Sequence, residues 1–185
     1  MRRISVFDHV SLDGFFVDDR GDMSWAHKHD EEWTAFASSN AGGQGELLFG
    51  RVTYEMMAAF WPTPQAAQML PEVARGMNAM RKTVFSRTLD TVTWENTTLL
   101  KGALVDEVMR LKDQSGPDIV ILGSGSIVSQ LTQAKLIDEY QLVVNAVVLG
   151  RGRTLFETVD GQVPLRLVKS QVFANGNVVL WYALA

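Results

Sequence analysis

Hydrophobic and polar positions along the first two thirds of the chain follow two alternating patterns. Short apolar runs predict buried strands, and apolar residues that recur three or four positions apart predict helices. The predicted strands in this part cover residues 4–10, 45–50, 82–86, 92–100 and 118–122. The predicted helices begin at Asp30 and continue with residues 51–60, 65–80 (broken at Pro71), 102–114 and 127–134.

The pattern changes after the last of these helices. Residues 137–149, 165–173 and 178–184 are all strand-like, and Asn175-Gly176 is typical of a hairpin turn between the last two. Strands that alternate with helices favour a parallel sheet, whereas strands joined by a tight turn pair antiparallel. The chain is therefore predicted to be one α/β domain over residues 1–185. Its central, mostly parallel sheet is flanked by helices and ends in an antiparallel C-terminal edge hairpin.

The composition of the chain mainly excludes certain classes of protein and of functional site. The chain has 17 basic and 21 acidic residues and a net charge of −4, whereas a general nucleic-acid binder is basic. The absence of cysteine excludes disulfides, thiolate metal sites and a cysteine nucleophile. No apolar stretch reaches the length of a membrane span, and the N-terminus does not resemble a signal peptide. We therefore expect a cytoplasmic protein with neither nucleic-acid nor membrane partners.

Two glycine-bounded turns between a predicted strand and a predicted helix are the main candidates for a ligand site. Open α/β sheets bind ligands at the carboxyl ends of their strands, where helix N-termini favour anions. The first turn is Gly50-Arg51-Val52-Thr53, and the second is Gly123-Ser124-Gly125-Ser126-Ile127. The second lacks the third glycine of a dinucleotide fingerprint, because Val128 stands there, and it lacks the lysine of a P-loop. Each turn alone is better explained as a tight turn, but together they favour a ligand with several phosphates.

A third turn and two carboxylates extend the set of candidates. Ser86-Arg87-Thr88 follows a predicted strand and could hold a ribose phosphate, with a solvated loop arginine as an equal alternative. Asp13 and Asp30 could donate or relay a proton to substrate. Their structural alternatives are an Asp-Gly turn for Asp13 and a helix N-cap for Asp30.

Histidines and aromatic residues add two further hypotheses. His27 and His29 do not predict a metal site, because this spacing puts them on different faces of a helix and no distant cluster completes the ligand set. No metal is therefore expected. The residues that could line an apolar substrate pocket are aromatic, with Trp33 more typical of a core position: Trp25, Trp33, Phe60 and Trp61.

Five segments, taken in order, carry a resemblance to a known superfamily. They are residues 10–15, 48–55, 82–89 and 121–126, and Leu149-Gly150-Arg151-Gly152 with Leu155-Phe156. The chain resembles the dihydrofolate reductase-like superfamily over nearly its whole length. It is most similar to the small bacterial proteins related to the C-terminal reductase domain of the bifunctional riboflavin-biosynthesis deaminase/reductase.

The resemblance implies an NADPH-dependent reductase. It assigns residues 50–53 and 123–128 to the phosphate turns and Ser86 and Arg87 to the ribose 2′-phosphate; Val10 and Thr88 complete the predicted cofactor set. Ser126 stands near a position where many dihydrofolate reductases have an arginine, so Arg87 would carry more of that task. Trp25 belongs to a segment that resembles the loop that closes over nicotinamide.

The same resemblance leaves the substrate open. Asp30 matches the acid that hydrogen-bonds pterin in dihydrofolate reductases, and Asp13 matches an aspartate that faces substrate in riboflavin-type reductases. The expected reaction is hydride transfer to a C=N or C=O bond of a small heterocycle by a homodimeric enzyme. The alternatives are a riboflavin-pathway 5-amino-6-(5-phosphoribosylamino)uracil reductase, a nucleotide-binding module without turnover, and a structural dimer.

Overall fold

The computed structural model describes residues 1–26, 30–41 and 45–185. His27 and His29, weighed above as metal ligands, lie outside the described residues. The strands in the described part are β1 (Ile4–Ser11), β2 (Phe15–Val17), β3 (Glu46–Gly50), β4 (Arg81–Phe85), β5 (Thr97–Leu100), β6 (Ile119–Leu122), β7 (Glu139–Asn145), β8 (Arg153–Thr154), β9 (Leu165–Val172) and β10 (Val178–Leu184). The helices are α1 (Glu31–Ala41), α2 (Arg51–Phe60), α3 (Pro64–Met69), α4 (Pro71–Ala79), α5 (Leu104–Asp113) and α6 (Gly125–Gln133), with a 3-10 turn at Ser24–Ala26. None of these helices is long and apolar enough to cross a membrane.

The central sheet of the described residues has eight strands in the order β5-β4-β3-β6-β1-β7-β10-β9. All pairs from β5 through to β7 are parallel, whereas β10 pairs antiparallel with both β7 and β9. The predicted mostly parallel sheet with an antiparallel C-terminal edge is therefore confirmed. The sequence did not predict β2 and β8, which pair antiparallel in a separate two-stranded sheet. Two or three residues are too few to give a periodic signal.

Helices cover both faces of the sheet, as a parallel sheet requires. On one face, Ile4 and Val6 of β1 belong to a core cluster that includes Val108 of α5 and Ile127 of α6. On the other face, Leu47 and Phe49 of β3 pack in a second cluster with residues of α2 and α4. These two layers fix the sheet, and therefore fix where its strands end.

The predicted strand over residues 92–100 was too long, because β5 begins only at Thr97. Trp94 is held in the preceding loop, where its ring stacks on Phe49 and its Nε1 donates to Asn78 Oδ1 at 2.7 Å. Its backbone N–H and that of Thr93 both donate to the Tyr54 hydroxyl. These tertiary contacts outweigh the strand propensity of this segment.

β6 ends before its neighbour β1 does. β1 pairs with β6 only as far as Phe7 and Leu122, but it pairs with β7 as far as Ser11 and Asn145. From Asp8 onward, the edge of β1 that faced β6 has no strand beside it in the described part of the chain. A crevice therefore opens at the carboxyl ends of the parallel strands, where ligands of α/β sheets bind.

Candidate active site

The ends of the parallel strands open into one cleft of about 910 Å³. This volume lies in the range of small-molecule and cofactor sites. Both glycine-bounded turns, the third turn, α1 and the β1–α1 connection contribute to its wall. The predicted cofactor residues that line it are Gly50, Arg51, Val52, Thr53, Ser86, Arg87, Gly123, Ser124, Gly125, Ser126 and Ile127. Three others are not among the lining residues: Val10, Thr88 and Val128.

Ser124 joins the two glycine-bounded turns. β3 and β6 are adjacent and parallel, so the turns that follow them lie side by side. The Ser124 hydroxyl accepts from the Gly50 backbone N–H at 2.7 Å and donates to Thr53 Oγ1 at 2.9 Å. The N-termini of α2 and α6 are thereby held next to each other at the cleft. Two helix N-termini with their free N–H groups and positive dipole ends favour a ligand that carries several negative charges.

The second turn depends on two glycines. Gly123 has φ +56°, and a Cβ there would lie 3.2 Å from Thr53 Oγ1. A Cβ on Gly125 would lie 2.7 Å from the ring of Phe16. Larger residues would therefore push the two turns apart or displace β2, so these glycines keep the backbone accessible from the cleft.

The charge of the cleft is opposite to that of the whole chain. Its cationic lining residues in the described chain are Arg51, Arg87, Lys101 and Arg153, whereas Asp8 is its one carboxylate. The net charge of the chain is −4. Arg51 pairs with Glu55 at 2.9 Å, but both side chains are nearly half exposed, and such surface pairs contribute little. This guanidinium can therefore turn to an anionic ligand at small cost.

Hydroxyl contacts shape the third turn. Ser86 Oγ accepts from the backbone N–H groups of Thr88 at 3.1 Å and Leu89 at 3.0 Å. This turn places Ser86 and Arg87 in the cleft wall, whereas Thr88 is exposed and outside the lining. Arg87 is exposed and makes no ion pair within the described residues. It is the cation in this wall best placed to accept a phosphate without first breaking a contact.

Asp8 is a cleft residue that the sequence reasoning missed. Its side chain is only 4% exposed, and burial raises its pKa to about 7, although the backbone N–H of His9 partly offsets this effect. The signal was present in β1, where Ile4, Val6 and Val10 alternate as buried residues and Asp8 occupies the same series. A carboxylate at a position that the alternation marks as buried is a functional-site signal.

The aromatic candidates divide between the wall and its surroundings. Trp61 lines the cleft, and its Nε1 donates to Met57 Sδ at 2.9 Å. Phe60 is outside the lining, in edge contact with the Trp61 ring. Trp25 is also outside it, and its Nε1 donates to Asp22 O. Trp33 is 5% exposed and lines the cleft, so it serves both the core and the wall.

The sequence profile of the RibD C-terminal domain family matches residues 2–179. The chain belongs to this family. The match confirms the resemblance that the motifs indicated. Uncharacterized protein YyaP of Bacillus subtilis (strain 168) is 28% identical over 182 residues, which cover 98% of this chain and 94% of that protein.

Two solved structures place this member of the RibD C-terminal domain family in a wider fold group. A Shewanella sp. PV-4 protein provisionally assigned to riboflavin biosynthesis has a TM-score of 0.75 at 24% identity and 99% coverage of both chains. Dihydrofolate reductase from Enterococcus faecalis, complexed with NADP(H) and RAB-propyl, has a TM-score of 0.67 at 16% identity. That match covers 98% of this chain and 96% of the reductase. These similarities show that the chain has the dihydrofolate reductase-like fold.

In this member of the RibD C-terminal domain family, the two predicted catalytic carboxylates, Asp13 and Asp30, are not among the residues that line the cleft. Asp13 accepts from Ser11 Oγ at 2.7 Å and from the backbone N–H groups of Leu149 and Gly150. The Ser11 hydroxyl contributes most to lowering the pKa of Asp13 to about 2, and the two N–H groups add to this effect. Asp13 is therefore ionised at neutral pH, and it ties the end of β1 to the β7–β8 connection.

Asp30 caps α1. Its Oδ1 accepts from the Trp33 backbone N–H at 2.7 Å, as an N-cap carboxylate does, while its buried Oδ2 has no partner in the described residues. Asp30 is not among the lining residues, although Trp33 and Thr34 of the helix that it caps are. The structure thus brings the two glycine-bounded turns together, but neither predicted acid lines the cleft.

Proposed function

We propose that this protein is an NADPH-dependent reductase that transfers hydride to a C=N or C=O bond of a small heterocyclic substrate. The observation that carries the proposal is the electropositive cleft at the carboxyl ends of the parallel strands. Two helix N-termini and four cationic side chains meet there in a chain of net charge −4. Membership of the RibD C-terminal domain family and a fold shared with a dihydrofolate reductase complexed with NADP(H) support it.

The residues present fit a dinucleotide phosphate. The small residues of the second turn would let a pyrophosphate approach the backbone, and the N–H groups at the start of α2 and α6 would accept its charge. Arg51 would contribute a planar cationic fork to the same groups. Arg87 and the Ser86 turn would hold the ribose 2′-phosphate, which distinguishes NADPH from NADH.

The apolar part of the lining fits a flat ring. Phe7, Trp33 and Met57 are among the apolar residues that line the cleft. When bound, NADPH supplies the hydride, and the protein orients the two reactants and excludes water. These apolar residues would therefore position the heterocycle, while the cationic residues would hold the nucleotide.

The proposal includes a homodimer in the cytoplasm, with no nucleic-acid or membrane partner. The edge strand β9 carries three well-exposed apolar residues, Leu167, Val168 and Val172. Long exposed edges of this kind are templates for pairing with another chain. C2 dimers are also the commonest soluble oligomers.

The decisive experiment is a fluorescence titration of the purified protein with NADPH and with NADH. We expect NADPH to bind more tightly, and Arg87→Ala to weaken NADPH binding about tenfold or more while hardly changing NADH binding, because a charge-assisted hydrogen bond to phosphate is lost. Arg110→Ala, an exposed arginine on α5 that pairs with Glu107, is the matched control. Equal affinity of the wild type for both nucleotides would contradict the role of Arg87.

Turnover is tested separately from binding. NADPH oxidation would be followed with dihydrofolate, pterins and phosphoribosyl pyrimidines as candidate substrates. Failure of both nucleotides to bind at millimolar concentration would overturn the proposed function. Tight NADPH binding without oxidation by any carbonyl, imine or pterin compound would instead favour a nucleotide-binding module.

A further inference from the structure

The backbone of β1 loses its partner strand on one of its two edges at the point where β6 ends. Along a strand, successive residues direct their N–H and C=O groups to opposite neighbours. Arg3 O accepts from Ile119 N on the β6 side, whereas Ile4 O accepts from Asp138 N on the β7 side. By this alternation His9 faces the β6 side, two residues beyond the last β1–β6 pair at Phe7.

The Asp8 carboxyl occupies this open edge. The His9 N–H has no β6 carbonyl to meet, and it donates to Asp8 Oδ1 at 2.9 Å. The carboxyl is therefore held against the strand edge by its own backbone, inside the wall of the cleft. Its position follows from the register of β1 with β6 and not from a flexible side chain.

The second oxygen of this carboxyl is unsatisfied. Asp8 Oδ2 is fully buried and has no hydrogen-bond partner in the described part of the chain. Buried polar atoms are nearly always paired, and leaving one unpaired costs stability. An unpaired oxygen in the wall of a ligand cleft is explained if the ligand supplies its partner.

We propose that Asp8 is the acid that contacts the substrate and protonates it during reduction. This inference rests on the proposed reductase function and names the proton donor of that reaction. The substrate C=N or C=O bond gains a hydride at carbon from the dihydronicotinamide and a proton at nitrogen or oxygen from Asp8 Oδ2. The nucleotide is oxidised, the double bond is reduced by two electrons, and the carboxylate regains its proton from water.

The other carboxylates near the cleft are less suited to this step. The oxygens of Asp13 accept hydrogen bonds from the Ser11 hydroxyl and two backbone N–H groups, and the low pKa of Asp13 keeps it ionised. Asp30 also has a buried Oδ2 without a partner in the described residues, but its other oxygen caps α1 and the residue is outside the lining. Asp8, by contrast, has a pKa of about 7, so a large fraction carries a proton at neutral pH. General acids are most effective when their pKa lies near the working pH.

The cleft that Asp8 lines also contains other charged or titratable groups. The charged or titratable groups that share its cleft are His9 on the same strand, Arg51 from α2, Arg87, Lys101, and Arg153 from β8. Burial is the dominant cause of the raised pKa of Asp8 and favours its neutral form, and no charged group is among the causes. A bound dinucleotide would exclude water and add negative charge to the cleft, so it should raise the pKa of Asp8 further.

The experiment compares wild type with Asp8→Asn, which retains an oxygen to accept from His9 but has no titratable proton. Asp160→Asn, an exposed aspartate outside the cleft, is the matched control. Aspartate 13Cγ NMR is recorded against pH without ligand, with NADP+, and with NADP+ plus dihydrofolate as the probes. NADPH affinity and NADPH oxidation with the candidate substrates are measured on the same proteins.

We expect one resonance that titrates near neutrality, disappears in Asp8→Asn and shifts its titration upward when the probes bind. Asp8→Asn should bind NADPH within about twofold of wild type but oxidise it about 100-fold more slowly, the scale of a lost general acid. The inference would be overturned if no probe changes the titration of this resonance, or if Asp8→Asn turns over substrate at the wild-type rate. Either result would leave the reductase proposal intact. No NADPH binding by the wild type would identify failure of the proposed function itself. The NMR result decides the role of Asp8 whether or not the panel contains a substrate.

Discussion

At the scale of single residues, burial of the Asp8 carboxyl predicts a pH-dependent stability. Its pKa rises from 3.8 to about 7 on folding, so the folded state binds the proton more tightly. The contribution of this carboxyl to the free energy of unfolding is therefore fully present below about pH 4 and is lost as the pH rises through 7. At about 1.4 kcal/mol per pH unit, the loss is about 4 kcal/mol.

The substitution Asp8→Asn should remove this dependence. We expect its free energy of unfolding to exceed that of wild type at pH 8 and to converge with it near pH 4 to 5, because asparagine carries no charge to desolvate. Urea unfolding at both pH values measures the effect, with Asp160→Asn as the control. A variant that is less stable than wild type at pH 8 would show that the burial cost of the charge is offset within the fold.

Ser124 is a second residue whose contacts lead to a prediction. It is buried, and its hydroxyl satisfies the Gly50 N–H and the Thr53 hydroxyl together. Ser124→Ala leaves the half-buried Gly50 N–H and the buried Thr53 hydroxyl without this partner, which should destabilise the protein by about 1–3 kcal/mol. It should also weaken NADPH binding, because the two phosphate turns lose their link. Ser115→Ala, at an exposed loop serine, should change neither quantity.

At the scale of elements, antiparallel pairing of β2 with β8 fixes part of the segment that connects β1 to α1. Gly152 makes this pairing possible, because a Cβ there would lie 2.1 Å from the Val17 carbonyl oxygen. Gly152→Ala should therefore separate β2 from β8 and destabilise the protein by about 2 kcal/mol or more. Gly161→Ala, which adds a Cβ in open space at φ +80°, should cost only about 1 kcal/mol of backbone strain. Urea unfolding of both variants compares the two, and equal losses would show that the pairing contributes nothing.

The elements that could be predicted from sequence are those with local signals. α2 begins and ends where predicted, because Gly50 closes the preceding strand and Trp61-Pro62 ends the helix. β2 and β8 could not be predicted, since they exist only through pairing with each other. Asp8 was missed for a similar reason: alternation marks it as buried, but only the register with β6 shows that the strand edge is open there. The two glycine-bounded turns could be placed at the cleft because glycines next to strand ends carry their own signal.

At the scale of the whole molecule, opposite charges are separated in space. The chain carries −4 overall, whereas the described lining of the cleft carries four cations and one carboxylate. The cleft therefore concentrates the attraction for a polyanion that the rest of the surface repels. Raising the salt concentration should weaken NADPH binding, because salt screens the attraction between the cations of the cleft and the phosphates. The effect should be smaller in Arg51→Ala, because this variant has one cation fewer to be screened. Titrations at two ionic strengths measure the difference, and identical salt dependence in both proteins would exclude Arg51 from the phosphate site.

The strand β9, at one edge of the sheet, has exposed apolar side chains. β9 pairs only with β10 among the described strands, and Leu167, Val168 and Val172 are 50%, 52% and 71% exposed. A second copy that covers this strand would bury these side chains and pair the free backbone edge. We therefore predict a dimer that Val168→Lys converts to a monomer, since a lysine charge opposes burial in the interface. Sedimentation equilibrium tests this, with Met109→Lys, at an exposed apolar position on α5, as the control. A monomeric wild type, or equal dissociation by both variants, would show that β9 is not the interface.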